Sequence, residues 1–249
     1  MRYFRLFRNL SNWYLYLAVK FSLTDRDPLL FRARNRIFIE VPRRLLHEFK
    51  EIFMEQCYTR GLGMPIPDSP TVIDIGANAG FFSLFAASRF HDPRILSFET
   101  IESNFGQLRR NRDLNRNCNM SCHNQAVFGH HGEILLTYSR DDGFTTSATV
   151  LGKFSKDDIT VQVPCITLDE IFKDNGLKNC DLLKMDCEGS EYSILYNCPR
   201  EHLSWIGQMA IEVHQGSRPE QNIEVLTEYL RGAGFQVRRH DHMVWAWHE

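Results

Sequence analysis

Thr71-Val72-Ile73-Asp74-Ile75-Gly76-Ala77-Asn78-Ala79-Gly80-Phe81-Phe82 decides how the rest of the chain is read. A β-branched run is broken by one carboxylate, Asp74, and is followed by Gly76, Asn78 and Gly80 and then by an apolar helical pattern. The stretch reads as a buried strand, a tight turn and a helix N-terminus, which presents backbone N–H groups and the positive end of a helix dipole to a ligand. Glycine lets a ligand approach the backbone, and asparagine tolerates a left-handed conformation. A lone Gly-x-x-x-Gly would read as an ordinary strand-to-helix turn. Here the leading acid, the special turn residues and a second acid at the end of the next strand point to a ligand site.

Outward from this stretch the pattern alternates strand and helix. Residues 79–89 read as a helix, with Phe82, Phe85 and Ala86 on one face. Residues 94–98 read as a strand ending on Glu99, residues 104–115 as a helix, and residues 120–123 as a strand ending on Asn124. Such repetition implies right-handed crossovers and a parallel sheet. Residues 133–138, 145–150 and 159–163 are short strand-like runs, an antiparallel excursion at about 133–163. Thr167 with Glu170 three residues on reads as a capping box. Alternation resumes with strands at 181–185 and 207–213 and helices at 188–195 and 219–231. The runs 235–240 and 243–247, joined by Asp241-His242, read as a hairpin. The expected fold class is α/β, with a mostly parallel sheet and an antiparallel C-terminal strand.

Residues 1–70 form an N-terminal α/β extension, separated from the main domain at 71–249 by a loop rich in glycine and proline. Residues 36–41 read as a strand and 43–58 as an amphipathic helix. Arg2, Arg5 and Arg8 are interleaved with Phe4, Leu6 and Phe7, and Trp13 to Val19 is apolar. That run is too short to span a bilayer and has no small-residue cleavage site after it. It reads either as a helix packed on the domain or on a homodimer partner, or as a peripheral membrane contact.

The chain has 249 residues, enough for one α/β domain with an appendage. Hydrophobic content of 43% and charged content of 24% are those of a soluble globular protein. A net charge of −2 gives no electrostatic case for nucleic acid. Seven cysteines without a Cys-x-x-Cys pair read as reduced thiols of a cytoplasmic protein.

Ligands of open α/β sheets bind at the carboxyl ends of strands, and polar residues stand at these ends: Asp74 to Gly80, Glu99, Asn124, Asp186, and Glu212 with His214. Glu99 follows Gly80 by 19 residues, a placement suited to ribose hydroxyls; the alternative is a solvated acid at a helix start. The spacing Gly76-x-Asn78-x-Gly80 departs from the dinucleotide fingerprint Gly-x-Gly-x-x-Gly. An acid two residues before the first glycine repels a pyrophosphate but accepts from a cationic amino-acid group, which favours S-adenosylmethionine over NAD. Asp186-Cys187-Glu188-Gly189-Ser190-Glu191 carries three carboxylates fit to hold a metal, orient a substrate or accept protons, or, for Glu188 and Glu191, to stabilise a helix start. Glu212 and His214 lie two apart and on a strand would share a face. His214 is then either a proton acceptor for a hydroxyl or the partner of Glu212 in a structural pair.

Val72 to Gly80, Ser97-Phe98-Glu99-Thr100, Thr167-Leu168-Asp169 and Leu183 to Glu191 resemble the FkbM family of S-adenosylmethionine-dependent methyltransferases. The resemblance covers residue 50 or so to the C-terminus, with one departure: Thr100 stands where the family commonly has proline. It implies a class I methyltransferase (Rossmann-like) sheet and O-methylation of a hydroxyl on a sugar, polysaccharide precursor or other natural product. Carried over, Asp74, Gly76, Asn78 and Gly80 would line the methionine part of the cofactor, Glu99 the ribose, and Asn124, Gln125 and Ala126 the adenine side, with Phe81 also among the cofactor-binding residues. Asp186, His214 and Glu212 are the candidate catalytic residues. Asp186, Glu188 and Glu212 are the secondary candidates for Mg²⁺ or Ca²⁺. Residues 1–70 resemble N-terminal extensions of bacterial polysaccharide-cluster members, consistent with a position peripheral to the inner face of a membrane.

Overall fold

The aliphatic and β-branched runs become a seven-stranded sheet in a computed structural model that describes residues 2–139 and 158–248. Its strands are β3 (Thr71–Ile75), β4 (Arg94–Phe98), β5 (Met120–His123), β9 (Leu182–Met185), β10 (Gln208–Glu212), β11 (Gln236–His240) and β12 (Met243–Trp247). Two short strands precede it, β1 (Leu29–Arg32) and β2 (Phe38–Val41), paired antiparallel. Between β5 and β9 lies a three-stranded sheet of β6 (Ala126–Val127), β7 (Gly132–Ser139) and β8 (Asp158–Ile166); β7 and β8 pair antiparallel, near the runs read from sequence at 133–138 and 159–163, whereas β6 was not expected and pairs parallel with β8. The run at 145–150 lies outside the described residues.

The large sheet has the order β11-β12-β10-β9-β3-β4-β5. All neighbours are parallel except β12, which runs antiparallel to both β10 and β11. The hairpin turn carries Asp241 at φ 52°, and His240 faces Met243 in register. The last strand is therefore antiparallel, as expected, and is inserted between β10 and β11. Strand order reverses between β3 and β9, so the cleft opens where Ile75 and Met185 end their strands side by side.

Side-chain alternation divides the core into two layers. On one face Ile73, Ile75, Leu96, Phe98, Leu183 and Met185 pack against the helices Leu168–Asp174, Glu191–Asn197 and Ile223–Gly232. Thr167 caps the first of these as a full capping box: the Glu170 N–H donates to Thr167 Oγ1 at 3.1 Å and the Thr167 N–H donates to Glu170 Oε2 at 2.8 Å. On the other face Val72, Ile95, Leu182 and Trp245 pack against the helix Phe81–Arg89 and the N-terminal segment.

That helix explains the segment's placement. Every residue from Phe81 to Ser88 is buried, so a helix apolar on all sides needs a cover on its outer face. Phe49 meets Phe81 edge-on at 5.7 Å, Phe53 meets Phe85 at 5.4 Å, and Phe31 stacks on Phe49 at 4.6 Å. The helix expected at 43–58 is broken into a 3-10 turn, the α-helix Leu46–Lys50 and a π turn, Glu51–Glu55, and ends at Gln56 with φ 57°. Among the described residues no helix is long and apolar enough to cross a membrane.

Candidate active site

The turn after β3 is built from left-handed residues: Gly76 at φ 73°, Asn78 at 50° and Gly80 at 82°. The N–H groups of Gly76 and Ala77 both donate to the carbonyl of Phe98, which ties the turn to the end of β4. The glycines also serve chain packing. A Cβ on Gly76 would stand 1.7 Å from the carbonyl oxygen of Asp186, and one on Gly80 would stand 2.5 Å from Leu108 Cδ1. Gly76 thus lets the ends of β3 and β9 close on each other, and this sets the floor of the cleft.

Glu99, buried beside this floor, receives 2.7 Å hydrogen bonds from the backbone N–H of Asn78 and of Ile101, one on each carboxylate oxygen. Burial pushes its pKa up to about 7, against the downward pull of those N–H groups and of Lys184. Asn124 stands behind it, with Nδ2 donating to the carbonyls of Glu99 and Thr100. A cavity runs past Gly76, Asn78, Glu99, Ile101, Gln125 and Ala126, with Ile134 and Leu136 of β7 as its apolar wall. Asn124 and Gly80 do not line it.

Asp74 lies beneath this floor, inside the protein. Its carboxylate is fully buried, receives the Ser83 hydroxyl at 2.6 Å and lies 3.2 Å from Lys184 Nζ. Lys184 is its neighbour across β3 and β9. A lysine inside the protein is therefore one cation that Asp74 answers. Lys184 Nζ also donates to the carbonyl of Gly76 at 2.6 Å and lies 4.0 Å from Asp186 Oδ2. Burial alone would lower its pKa, but Asp74 and Asp186 outweigh that and raise it, so the lysine stays charged.

A second cavity joins the first at Gly76, Asn78, Asp186 and Glu188. Its lining adds Glu48, Glu51, Tyr58, Phe81, Glu212 and His214. Tyr58, from the N-terminal segment, was not singled out from sequence. Its hydroxyl donates to Asp186 Oδ2 at 2.7 Å and lies 3.3 Å from Glu212 Oε2, and the Trp245 indole N–H holds its carbonyl at 2.7 Å. Burial and the nearby acids keep the phenol pKa well above its usual value, so it remains a donor. Burial, then Asp186, raises Glu212 as well.

His214 lines this cavity but is not on the strand where the sequence placed it. β10 ends at Glu212, so His214 lies in the following loop and does not pair with that residue. Its Nδ1 is 3.1 Å from Glu191 Oε1 and its Nε2 is 3.5 Å from Glu188 Oε2. Burial opposes the charge, but the bond to Glu191 and the charges of Glu191, Glu188 and Asp186 prevail, and the pKa rises to about 9. A ring protonated at neutral pH donates on both nitrogens and does not accept a proton. Glu191 is buried and takes the N–H groups of Cys187 and Gly189, so it organises the turn after β9. Burial raises the Glu188 carboxyl to about 7. Among the described residues one group has metal-ligating atoms within 4.8 Å of one another, Asp186, Glu188 and His214, which replaces Glu212 of the expected set by His214.

Residues 74–237 match the family described as Methyltransferase FkbM domain. Methyltransferase sdnD of Sordaria araneosa is 27% identical over 255 residues, covering 90% of this chain and 92% of that protein. The 31-O-demethyl-FK506 methyltransferase FkbM of Streptomyces tacrolimicus is 27% identical over 214 residues, covering 76% and 81%. A crystal structure of methyltransferase FkbM from Methylobacillus flagellatus KT superposes with a TM-score of 0.52 at 18% identity. It is matched over 82% of this chain, which spans about half (54%) of that one, and the likeness is one of fold: the Rossmann-like class I methyltransferase sheet. With the family match running through the turn after β3, Glu99 and the Asp186 cluster, the chain belongs to the FkbM-domain methyltransferases and takes S-adenosylmethionine as its cofactor.

Proposed function

We propose that this chain methylates a hydroxyl oxygen of a small-molecule acceptor, a sugar, a polysaccharide precursor or another natural product. The observation that carries the reading is the meeting of the two cavities at Gly76, Asn78, Asp186 and Glu188. The first cavity suits the cofactor. Glu99 offers a buried carboxylate with lone pairs left for two ribose hydroxyls. Gln125, Ala126 and the apolar wall of Ile101, Ile134 and Leu136 suit the flat adenine. Asn78 Oδ1 is buried without a hydrogen-bond partner among the described residues, an acceptor matched to the ammonium of the methionine part. Bound there, the cofactor supplies an electrophilic methyl group on a sulfonium.

The second cavity then takes the acceptor. Asp186 is the proton acceptor for the attacking hydroxyl, aimed by Tyr58 and held near Lys184. Glu212 completes the acidic pair, and His214 orients Glu188. The rate comes chiefly from positioning two reactants, an effect worth about 7–11 kcal/mol in well-oriented cases. Five carboxylates line this cavity, Glu48, Glu51, Asp186, Glu188 and Glu212, whereas its lysine is engaged with Asp74 and Asp186 and its His214 with Glu188 and Glu191. Such a lining favours a neutral polyol or a cation over a phosphorylated acceptor. The name of the Streptomyces relative, which specifies an O-demethyl substrate, also supports transfer to oxygen.

The test is Asp186→Asn with calorimetry and a transfer assay run together. Cofactor binding is expected to survive while transfer falls steeply. Transfer that persists at the parent rate would remove Asp186 from the chemistry. Loss of cofactor binding instead would make it a cofactor ligand.

A further inference from the structure

The N-terminal helices leave a face that the fold does not cover. In the helix Arg2–Asn9, Leu6 and Asn9 are buried, while Phe4 is 68% exposed and Phe7 49%. Tyr14, opening the helix Tyr14–Lys20, is 62% exposed. Phe7 meets Trp13 edge-on at 4.7 Å, and Trp13 meets Tyr14 at 6.3 Å, so these rings form one aromatic surface rather than scattered contacts. Seven of the ten large exposed apolar residues among the described ones lie between Phe4 and Leu30, which marks this face off from the rest of the surface.

The charge on this face is one-sided. Residues 2–23 hold Arg2, Arg5, Arg8 and Lys20 and no aspartate or glutamate, in a chain of net charge −2. Arg8, Arg34 and Arg89 are exposed and close enough for their charges to oppose one another: burial first, and then Arg8 and Arg34, lower the Arg89 pKa. None of the three pairs with a carboxylate among the described residues. A cluster of unpaired cations beside exposed aromatic rings is matched by a surface with anionic groups above an apolar layer.

We propose that this face docks on an anionic lipid surface, with Phe4, Phe7, Trp13 and Tyr14 seated at headgroup depth and Arg8, Arg34 and Arg89 against lipid phosphates. A second copy of the chain fits less well, because a symmetric pairing would bring the arginine clusters together.

The full-length chain is sedimented with vesicles of phosphatidylcholine alone or mixed with phosphatidylglycerol, without cofactor or acceptor. Binding is expected only to the anionic vesicles and is expected to weaken as salt is raised. Arg8→Gln with Arg34→Gln should weaken it by about fivefold for each arginine removed. Phe7→Ser with Trp13→Ser should weaken it through the apolar contact. All four positions are on the surface, and calorimetric binding of S-adenosylmethionine, unchanged in both variants, reports that the fold is intact. Absence of binding to anionic vesicles, equal binding to both vesicle types, or variants that bind as the parent does would each overturn the proposal. So would self-association of the parent that the same substitutions abolish while vesicle binding stays absent.

Discussion

Glu99→Gln separates what this carboxylate does for the fold from what it does for the ligand. The residue is 6% exposed, and its ionisation is moved from 4.5 to about 7 by burial. Charging it inside the fold therefore costs on the order of 3 kcal/mol more than in the unfolded chain. Because the folded-state pKa is raised, its stabilising contribution is fully present below 4.5 and is lost as pH rises through about 7. Cofactor affinity should run the opposite way if Glu99 holds the ribose as proposed, since an ionised carboxylate accepts from both hydroxyls and a protonated one does so poorly. Glutamine removes the charge and hence the pH slope of stability. It also offers a single acceptor oxygen where the backbone N–H groups of Asn78 and Ile101 need two, leaving one buried donor unpaired at about 1–3 kcal/mol. Loss of a charged hydrogen bond to the ribose, about 1.5–3 kcal/mol, weakens the dissociation constant by roughly 10- to 150-fold. Calorimetry and thermal melts at pH values on either side of 7 read both effects. A variant that binds the cofactor as the parent does, or that keeps the parent's pH slope of stability, would refute the reasoning.

Three further substitutions probe the surrounding network. Tyr58→Phe removes the 2.7 Å donor to Asp186 and should lower the transfer rate about tenfold to hundredfold with cofactor binding unchanged; an unchanged kcat would dismiss Tyr58 as a positioning residue. Gly76→Ala places a Cβ 1.7 Å from the Asp186 carbonyl at φ 73° and should cost at least about 3 kcal/mol, seen as a large drop in Tm; a Tm within a few degrees of the parent would contradict the packing argument. His214 has its pKa raised from 6.5 to about 9, so its contribution to stability is complete below 6.5 and lost as pH rises through about 9. The parent Tm should fall across that upper range and fall less in His214→Gln, and equal slopes would mean that His214 is not held by Glu191 and Glu188.

Strands bounded by turn residues were legible in the sequence, as Thr71–Ile75, Arg94–Phe98 and Met120–His123 show, because a short β-branched or aliphatic run has few other uses. The antiparallel last strand was legible for the same reason. β1 and β6 were missed, being short and without a clear period. The site was legible as a set of strand ends but not as a network. Asp186 meets a tyrosine 128 positions earlier, and no local pattern announces such a partner. Lys184 did leave a trace, a lysine inside Leu182-Leu183-Lys184-Met185, where burial on both faces demands an acid from the neighbouring strand. The glycines were read as room for a ligand; Gly76 lines both cavities, and at Gly76 and Gly80 the missing Cβ also makes room for the chain itself. The pairing of Glu212 with His214 assumed a strand two residues longer than the one that forms. The apolar helix after the turn also carried a signal for the N-terminal segment, since FFSLFAAS cannot face water on any side.

In the proposed reaction the methyl group of S-adenosylmethionine goes to a hydroxyl oxygen at the junction marked by Asp186. The most direct measurement uses cofactor labelled in its methyl carbon with a panel of neutral saccharides and polyols beside their phosphorylated counterparts, and locates the label in the product by NMR. The expected result is a labelled methyl ether on a neutral acceptor, one S-adenosylhomocysteine formed for each ether, and loss of both in Asp186→Asn. Label found on nitrogen or carbon, or transfer that prefers the phosphorylated acceptors, would contradict it.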